Sequence, residues 1–389
     1  MSESARDAED AVARLRSLED GPRAFFAVWA LGATAVPALS ALLSGPTESV
    51  DQPRRLAAEG LAAIGGPASA DALLSALQDS AARHSRLPPV LREAEAGVLT
   101  SIASALANLR DHRAPDALSA ILVNRCHSGC LAALASFRDP RAVGFAARCL
   151  RDGAASDQAA EVLRLYGLTS VPALTGTLAS PRIVHGAEPP TSAAGRALAA
   201  TLLGELAGRE AERPLVAALG DESPGVRLAA SLALARLGPD LASRAAPELA
   251  RVLGDDDPLR AHEAEDALAR LVPSPHEVLS SLLADPAVDT AGSRGRRRAI
   301  AVLGRLAPGE AGPVLADLAL NADPEVRFAV TTALAHMGGE AAEAALAKLA
   351  DDTDDDVRRR ARAALAGAPA LRTVRASGPR RRTVAPSRS

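Results

Sequence analysis

Apolar residues recur along this chain in stripes that have the period of an amphipathic α-helix. In one type of segment, Ala, Leu and Val occupy positions i, i+3, i+4 and i+7, and a Gly often follows the last turn. This spacing places the apolar side chains on one helix face, and the Gly supplies the left-handed residue with which many helices end. The pattern predicts helices at 53–65, 156–167, 224–238, 258–271, 294–307, 324–338 and 355–367.

A second type of helix alternates with the first and carries a Pro near its start. Pro suits the first turn because the N–H that it lacks has no partner there. These segments are 36–43, 171–179, 213–220, 246–254 and 312–320. Two alternating helix types predict helical hairpins, and one hairpin cannot bury its own apolar face, so the hairpins must stack.

One column of residues gives the length of the repeating unit. It is the residue before the last apolar residue of each helix of the first type, and most members lie about 30 residues apart. The column is Ala63, Asn108, Ser136, Arg164, Glu205, Arg236, Arg270, Arg305, His336 and Ala366. The segment 23–32 fits as one more helix of this type. We therefore predict an all-α fold, an α-solenoid of about ten helix-turn-helix repeats over 1–368, looser in 1–204 and regular in 205–367.

The repeat follows the pattern D-x-x-x-V-R-x-x-A-x-x-A-L-x-x-L-G. The residues that carry it are Val226, Arg227, Ala230, Ala233, Leu234, Leu237 and Gly238, then Val326, Arg327, Ala329 and Ala333, then Val357 and Arg358. The pattern resembles the HEAT repeat, especially its bacterial PBS-lyase-like branch, well over 205–367 and more loosely over 21–204. The resemblance implies an α-solenoid whose inner helices, those of the first type, line a concave binding face. It does not imply lyase activity.

Composition favours a thin helical core. Apolar residues make up 48% of the chain but aromatics only 2%, and Ala alone accounts for almost a quarter. The formal net charge is -3, yet residues 370–389 contain six Arg and no acid. We predict that 369–389 is a disordered, Arg-rich tail, and we expect contact with nucleic acid or another polyanion only through it. Because no run approaches ~18 apolar residues and no signal peptide precedes the repeats, we expect a cytoplasmic protein without a membrane span.

Cations in the repeat column are the candidate binding residues. Arg164, Arg236, Arg270, Arg305 and His336 each stand at the last turn of an inner helix. A cation there is stabilised by the helix dipole, by about 0.3–1 kcal/mol, which is one interpretation. The other is a ladder that binds an acidic peptide or a phosphate. By contrast, we expect the signature residues Arg227, Arg327 and Arg358 to pair with turn aspartates such as Asp221, Asp323 or Asp354.

Three motifs suggest metal chemistry, and each has a simpler interpretation. His262-Glu263 resembles the His-Glu dipeptides that bind iron in deoxyhypusine hydroxylase, but the neighbouring inner helices lack such pairs. Cys126, His127 and Cys130, together with Cys149 and His112, suggest zinc. We expect Cys126 and Cys130 on one helix as small apolar residues. The aspartate runs 255–257 and 351–356 suggest calcium, but N-capping of the next helix explains them. We expect no metal, cofactor or catalytic residue.

Two long repeat spacings and one aromatic cluster complete the unusual features. The segments 78–93 and 179–192 are rich in Pro, His, Arg and Ser, so we predict inserted loops. They are either tolerated insertions without a function or loops that help binding. Phe25, Phe26 and Trp29 hold nearly half of the aromatics. We expect them to close the N-terminal end of the core, with an exposed docking site as the alternative.

The sequence therefore predicts a non-enzymatic scaffold that binds a protein partner, an acidic one being favoured, through the concave face. Two other functions stay open. One is an enzyme, either hydroxylase-like with a metal or lyase-like on a bilin. The other is a polyanion or nucleic-acid binder that uses the Arg-rich tail.

Overall fold

The computed structural model of the protein describes residues 3–17, 21–48, 50–154, 156–181, 183–284 and 293–375. The chain divides into two compact units, Met1–Ala207 and Gly208–Ser389. Within the described ranges the regular secondary structure is helical, and the only β pairing is an isolated bridge between Val184 and Ala187.

The first unit consists of six consecutive helix pairs in its described residues. They are α1 (Glu3–Ala13) with α2 (Gly21–Ala30), α3 (Val36–Leu43) with α4 (Gln52–Ile64), α5 (Gly66–His84) with α6 (Pro89–Leu109), α7 (Ala114–Asn124) with α8 (Ser128–Ser136), α9 (Arg141–Asp152) with α10 (Ser156–Tyr166), and α11 (Val171–Ala179) with α12 (Pro190–Leu206).

The second unit adds five more pairs over the ranges described for it. They are α13 (Glu212–Ala218) with α14 (Pro224–Leu237), α15 (Pro239–Val252) with α16 (Pro258–Leu268), α17 (His276–Ala284) with α18 (Ser293–Leu303), α19 (Pro308–Leu318) with α20 (Pro324–Met337), and α21 (Glu340–Leu349) with α22 (Asp355–Arg375).

Each unit stacks its pairs in two layers, with even-numbered inner helices in one layer and odd-numbered outer helices in the other. Inner helices pack on inner helices, as α4 does on α6 and α20 on α22, and outer helices on outer ones, as α3 does on α5 and α15 on α17. The predicted stripe forms the core, since Val226, Ala230, Ala233 and Leu234 of α14 are almost fully buried. The predicted all-α solenoid of helical hairpins is confirmed, with eleven pairs in the described residues.

The predicted outer helices have the right positions but not always the right starts. Helices α3 and α11 begin and end where the sequence places them. The predictions for 246–254 and 312–320 were wrong at their starts, because Pro247 lies inside α15 and Pro313 inside α19. Each of these helices begins at an earlier Pro, and the internal Pro forgoes one backbone hydrogen bond.

The two predicted insertions differ in structure. The first prediction was wrong for most of 78–93, because α5 extends to His84 and α6 begins at Pro89, so the extra residues lengthen two helices. The second is confirmed, since α11 ends at Ala179 and α12 begins at Pro190, with a tight turn around His185 and Gly186 between them.

The expectation that the aromatic cluster closes the core was wrong for two of its three members. Phe26 is 71% exposed and Trp29 55% exposed, and only Phe25 is half-buried. Ala24 and Val28 fill the core in their place, because these residues, four apart, face the neighbouring helices.

The C-terminal tail predicted at 369–389 is described only in part. Helix α22 continues to Arg375, and the rest of the predicted tail, 376–389, lies outside the described residues.

No single described helix is long and apolar enough to cross a membrane. One bent pair, Arg23–Ala30 with Gly32–Leu43, meets the criteria of length and composition, with a bend of 115°.

Candidate binding face

Arginines near the start of several inner helices bind backbone carbonyls and carboxylates of their own and the next hairpin. In the second unit, Arg227 donates to the backbone carbonyls of Asp221 and Glu222 at 2.8 and 3.1 Å, and its Nε lies 2.5 Å from Oε1 of Glu248. These two carbonyls lie in the turn between α13 and α14, and the guanidinium supplies their hydrogen bonds. The signature arginine is therefore occupied by the fold and is not free for a ligand.

The expected aspartate partners of these arginines were partly wrong. Arg327 does bind a turn aspartate, but it is Asp352, at 2.8 Å from both Nε and Nη2. Arg358 pairs with Asp355 at the start of its own helix. Arg227 uses the side chain of Glu248 in α15 and only the carbonyl of Asp221.

The same arrangement is buried in the first unit. Arg54 donates from Nε to the carbonyl of Leu43 at 3.0 Å, and from Nη1 and Nη2 to the Glu95 carboxylate at 2.6 and 3.1 Å. Arg196 binds Glu188 at 2.8 and 2.5 Å in the same manner. Arg54, Arg196 and Glu95 are buried, so these pairs are internal to the hairpin stack.

Glu95 stays ionised in this environment. Burial alone would raise its pKa, but hydrogen bonds from Arg54, Ser80 and Thr47, together with the charge of Arg54, lower the pKa to about 2. A buried carboxylate with four donated hydrogen bonds is well compensated, which makes this network a structural element rather than a reactive site.

The column cations of the second unit lie on the exposed side of the inner helices. Arg236, Arg270, Arg305 and His336 are all exposed, and Arg270 and Arg305 stand two residues beyond the ends of α16 and α18. We call the exposed side of the even-numbered helices the inner-helix face.

These cations differ in their partners. Arg270 and Arg305 share the carboxylate of Asp266, at 3.1 and 2.9 Å, and the hydrogen bond from Arg305 lowers the pKa of Asp266. Arg236 and His336 have no acidic partner among the described residues. In the first unit Arg164 is bound to Glu205 at 2.8 Å, so the structure leaves Arg236 as the available arginine of the column.

A groove of about 320 Å³ follows the inner-helix face between α14 and α16. Both apolar and charged side chains line it. The lining residues are Leu232, Ala235, Arg236, His262, Glu263, Asp266, Ala267, Arg270 and Leu271. His262 and Asp266 were missing from the predicted binding residues. They precede Arg270 by eight and four residues and so share its face of the helix, which was the available signal.

The first unit has a groove at the matching place, between α4 and α6. It measures about 430 Å³, and its column residues are Ala63 and Asn108 where the groove of the second unit has Arg236 and Arg270. It is lined by Arg55, Glu59, Ala62, Ala63, Thr100, Ser101, Ser104, Ala105 and Asn108. Two column residues line each groove, so the column marks one face of each unit.

The metal motifs do not converge. Among the described residues, no three His, Cys, Asp or Glu side chains form a group that could hold a metal ion. His262 is exposed, with Glu265 and Asp266 of its own helix 3.9 Å from its ring nitrogens.

The cysteine and aspartate motifs are explained by their places at the starts of helices and inside the fold. The expectation that Cys126 and Cys130 share a helix was wrong, because α8 begins at Ser128 and Cys126 precedes it. His127 caps α8 by accepting the N–H of Cys130 at 3.3 Å, and burial lowers its pKa to about 4. The N-capping interpretation is confirmed, since Asp257 accepts the N–H of Leu259 at 3.0 Å.

Comparison with known families agrees with this geometry. A model of HEAT repeats matches residues 180–269 and 279–366, and a model of the PBS lyase HEAT-like repeat matches 53–79, which together cover more than half of the chain. The chain belongs to the HEAT-repeat proteins. No curated protein matches it significantly.

Several solved structures are similar to this HEAT-repeat chain to different degrees. A mutant form of Kap121p is 12% identical with a TM-score of 0.51, over 94% of this chain and 45% of that one. UNC-45 from Drosophila melanogaster is 17% identical with a TM-score of 0.32, over 96% of this chain and 59% of that one. Human deoxyhypusine hydroxylase is 20% identical with a TM-score of 0.27, over 86% of this chain and 96% of that one. The chain spans about half the length of Kap121p, and this likeness concerns the fold alone.

Proposed function

We propose that this HEAT-repeat protein is a non-enzymatic scaffold that binds an acidic segment of a protein partner on the inner-helix face of its second unit. The observation that carries the proposal is Arg236. It is an exposed arginine without an acidic partner in the described part of the chain, and it lines a groove that combines apolar and charged side chains. Kap121p has been solved bound to the SUMO protease Ulp1p, which is a precedent for partner binding on a related fold.

The chemistry of the groove suits an extended peptide that carries both carboxylates and apolar side chains. Arg236 and Arg270 stand on the rim, where a guanidinium can bind a carboxylate with two parallel hydrogen bonds. Leu232, Ala235 and Ala267 are half-buried and offer the apolar surface between them. Because one exposed ion pair contributes under ~1 kcal/mol, affinity must come from several contacts along the face.

The arginines beyond the groove extend the same surface. Arg305 is 40% exposed at its side chain although it already contacts Asp266, and the next column position, His336, is exposed. A partner carboxylate that approaches this face would compete with Asp266 for Arg270 and Arg305. Binding would therefore weaken as salt screens these exposed charges.

A scaffold function also agrees with the surroundings of His262-Glu263, the dipeptide that resembles an iron-binding motif. His262-Glu263 lies in the groove, but the matching positions of the neighbouring helices are Leu228-Ala229 and Arg297-Arg298. An iron site needs several carboxylate and imidazole ligands that converge. We accordingly propose that His262 and Glu263 are polar contacts of the groove.

The test is capture of partners from the source cells with three baits: the native chain, the double variant Arg236→Glu with Arg270→Glu, and Arg213→Glu. Arg213 is a matched control, because it is an exposed arginine on the outer helix α13. We expect the double variant to bind the identified partner at least about tenfold more weakly, which is about 1.4 kcal/mol, and the control to bind normally. Equal binding by all three folded baits would contradict the proposal.

A further inference from the structure

Arg125 joins two consecutive hairpins of the first unit through its guanidinium. It follows α7 directly, and its own N–H donates to the carbonyl of Ile121 at 3.2 Å, so its backbone is fixed to the end of that helix. Its Nη2 donates to the carbonyl of Ala81 in α5 at 2.8 Å, and its Nη1 lies 2.5 Å from Nδ1 of His84, the last residue of α5. One side chain thus fastens the connection between α7 and α8 to the outer helix of the preceding hairpin.

The contact with Arg125 assigns the protonation state of His84. A guanidinium stays charged and has only donors, so Nδ1 of His84 must accept the hydrogen bond and carries no proton. His84 is therefore the neutral tautomer with its proton on Nε2. A proton added to Nδ1 would remove the acceptor and place two cations in contact. Both side chains are half-buried, so water would screen this repulsion only in part.

The groups that face the His84 ring mostly disfavour its charged form. Partial burial lowers the pKa of His84, and so do the charges of Arg125 and of Arg92 in α6. Glu95 of α6 acts in the opposite sense, but its carboxylate is already bound by Arg54 of α4 at 2.6 Å. The neutral imidazole is accordingly the form that this environment favours.

The other helices packed on α5 bring no free acid to His84. Helix α3 carries no charged residue. Asp116, the single charged residue of α7, lies in the first turn of that helix, at the end opposite to Arg125. Within α5 itself, Arg83 is one more cation, 3.6 Å from the Glu95 carboxylate. Protonated His84 would therefore exchange an accepted hydrogen bond for repulsion.

His127 gives the same connection a second histidine that must be neutral. It accepts the N–H of Cys130 at its own Nδ1, at 3.3 Å, and it is only 7% exposed. Burial lowers its pKa most, and the charges of His84 and Arg125 lower it further. Acid thus acts on both histidines of the connection in the same direction.

We propose that the contact of Arg125 with His84 is a pH-sensitive joint between the hairpins α5–α6 and α7–α8, closed at neutral pH and released in acid. Because the folded-state pKa of His84 lies below the unfolded value of 6.5, the contribution of the joint is complete above pH 6.5 and is lost as the pH falls below it. Helix α6 lines the groove of the first unit, so release would loosen the hairpin that forms one of its walls.

The test is amide hydrogen exchange of the full-length chain, measured by mass spectrometry at about pH 7.5 and about pH 5. Protection is expressed against the intrinsic rate at each pH. We expect the segment 121–127 to lose at least about threefold of its protection in acid, the equivalent of one hydrogen bond. His84→Gln offers an acceptor that does not titrate, so it should stay protected at both pH values. His84→Ala offers none and should be unprotected at both.

Two control variants and one spectrum separate the joint from other effects of acid. His127→Asn keeps an N-cap and should retain the acid response of the segment 121–127. His112→Gln should retain it as well, because the His112 side chain is 91% exposed. Long-range ¹H–¹⁵N NMR at neutral pH should show the His84 proton on Nε2. The proposal is overturned if the native segment stays protected in acid, if His84→Gln loses protection as the native chain does, or if the neutral His84 carries its proton on Nδ1.

Discussion

A Glu95→Gln substitution removes the charge of the carboxylate that Arg54 meets at 2.6 Å while it keeps the size of the side chain. Glu95 is fully buried, and Arg54 is only 5% exposed. The substitution would therefore leave a buried guanidinium without its counter-charge. Thr47 and Ser80, which both donate to Glu95 at 2.5 Å, would compete for a single amide oxygen.

The magnitude follows from two independent arguments. The pKa of Glu95 falls from 4.5 to about 2, and at about 1.4 kcal/mol for each unit this amounts to about 3 kcal/mol of stability. Removal of one partner from a buried ion pair costs about 3–5 kcal/mol in other proteins. We therefore expect Glu95→Gln to lower the free energy of unfolding of the first unit by about 3 kcal/mol.

The effect should also depend on pH. Because the folded-state pKa lies below the unfolded value, the contribution is complete above pH 4.5 and is lost as the pH falls toward 2. The native chain should lose its advantage over Glu95→Gln across this window and in that direction.

Urea denaturation gives the measurement. The single tryptophan of the chain, Trp29, lies in the first unit, so its fluorescence can be followed beside circular dichroism. Glu93→Gln is the matched control, since Glu93 is an exposed glutamate on the same helix, α6. A loss below about 1 kcal/mol for Glu95→Gln, or an equal loss for the control, would refute the reasoning.

Two further predictions concern packing and capping in the first unit. A Cβ added at Gly195 in α12 would overlap the carbonyl oxygen of Leu150, so Gly195→Ala should cost about 1–3 kcal/mol. Gly176→Ala in α11, where the Cβ meets open space, should increase the free energy of unfolding by about 0.5–1 kcal/mol. Thermal unfolding of both variants measures the two effects, and a stabilised Gly195→Ala would contradict the packing prediction. His127 has a folded-state pKa of about 4 against 6.5 when unfolded, so the unfolded chain binds the extra proton as the pH falls from 6.5 to 4. The free energy of unfolding should drop by about 3 kcal/mol over that window. His127→Asn keeps an N-cap, and urea denaturation at a series of pH values should show a weaker pH dependence of stability for it. An unchanged pH dependence in this variant would show that His127 does not cause it.

The helices were predictable because local chemistry specifies them. The first turn of α3 and of α11 contains a Pro, and their Leu residues repeat with the helical period, so both ends follow from the sequence. Pro247 and Pro313 misled the prediction because an earlier Pro, at 239 or 308, already begins the helix. A helix interior tolerates one Pro when tertiary packing compensates for the lost hydrogen bond.

The side-chain partners were not predictable, because they depend on how distant segments meet. Arg54 and Glu95 are 41 residues apart, and nothing local distinguishes Glu95 from the exposed Glu93 two residues earlier. The column of cations was visible in the sequence, but only the structure reveals that Asp266 already engages two of them.

Site-specific photo-crosslinking tests the central claim, that the inner-helix face of the second unit receives the partner. p-Benzoylphenylalanine would replace Leu232, which lines the groove on α14, or Arg213 on the outer helix α13. We expect a cross-link to the captured partner, within an acidic segment, from position 232 and none from position 213. Cross-links from position 213 alone, or from position 232 to a segment without carboxylates, would contradict it.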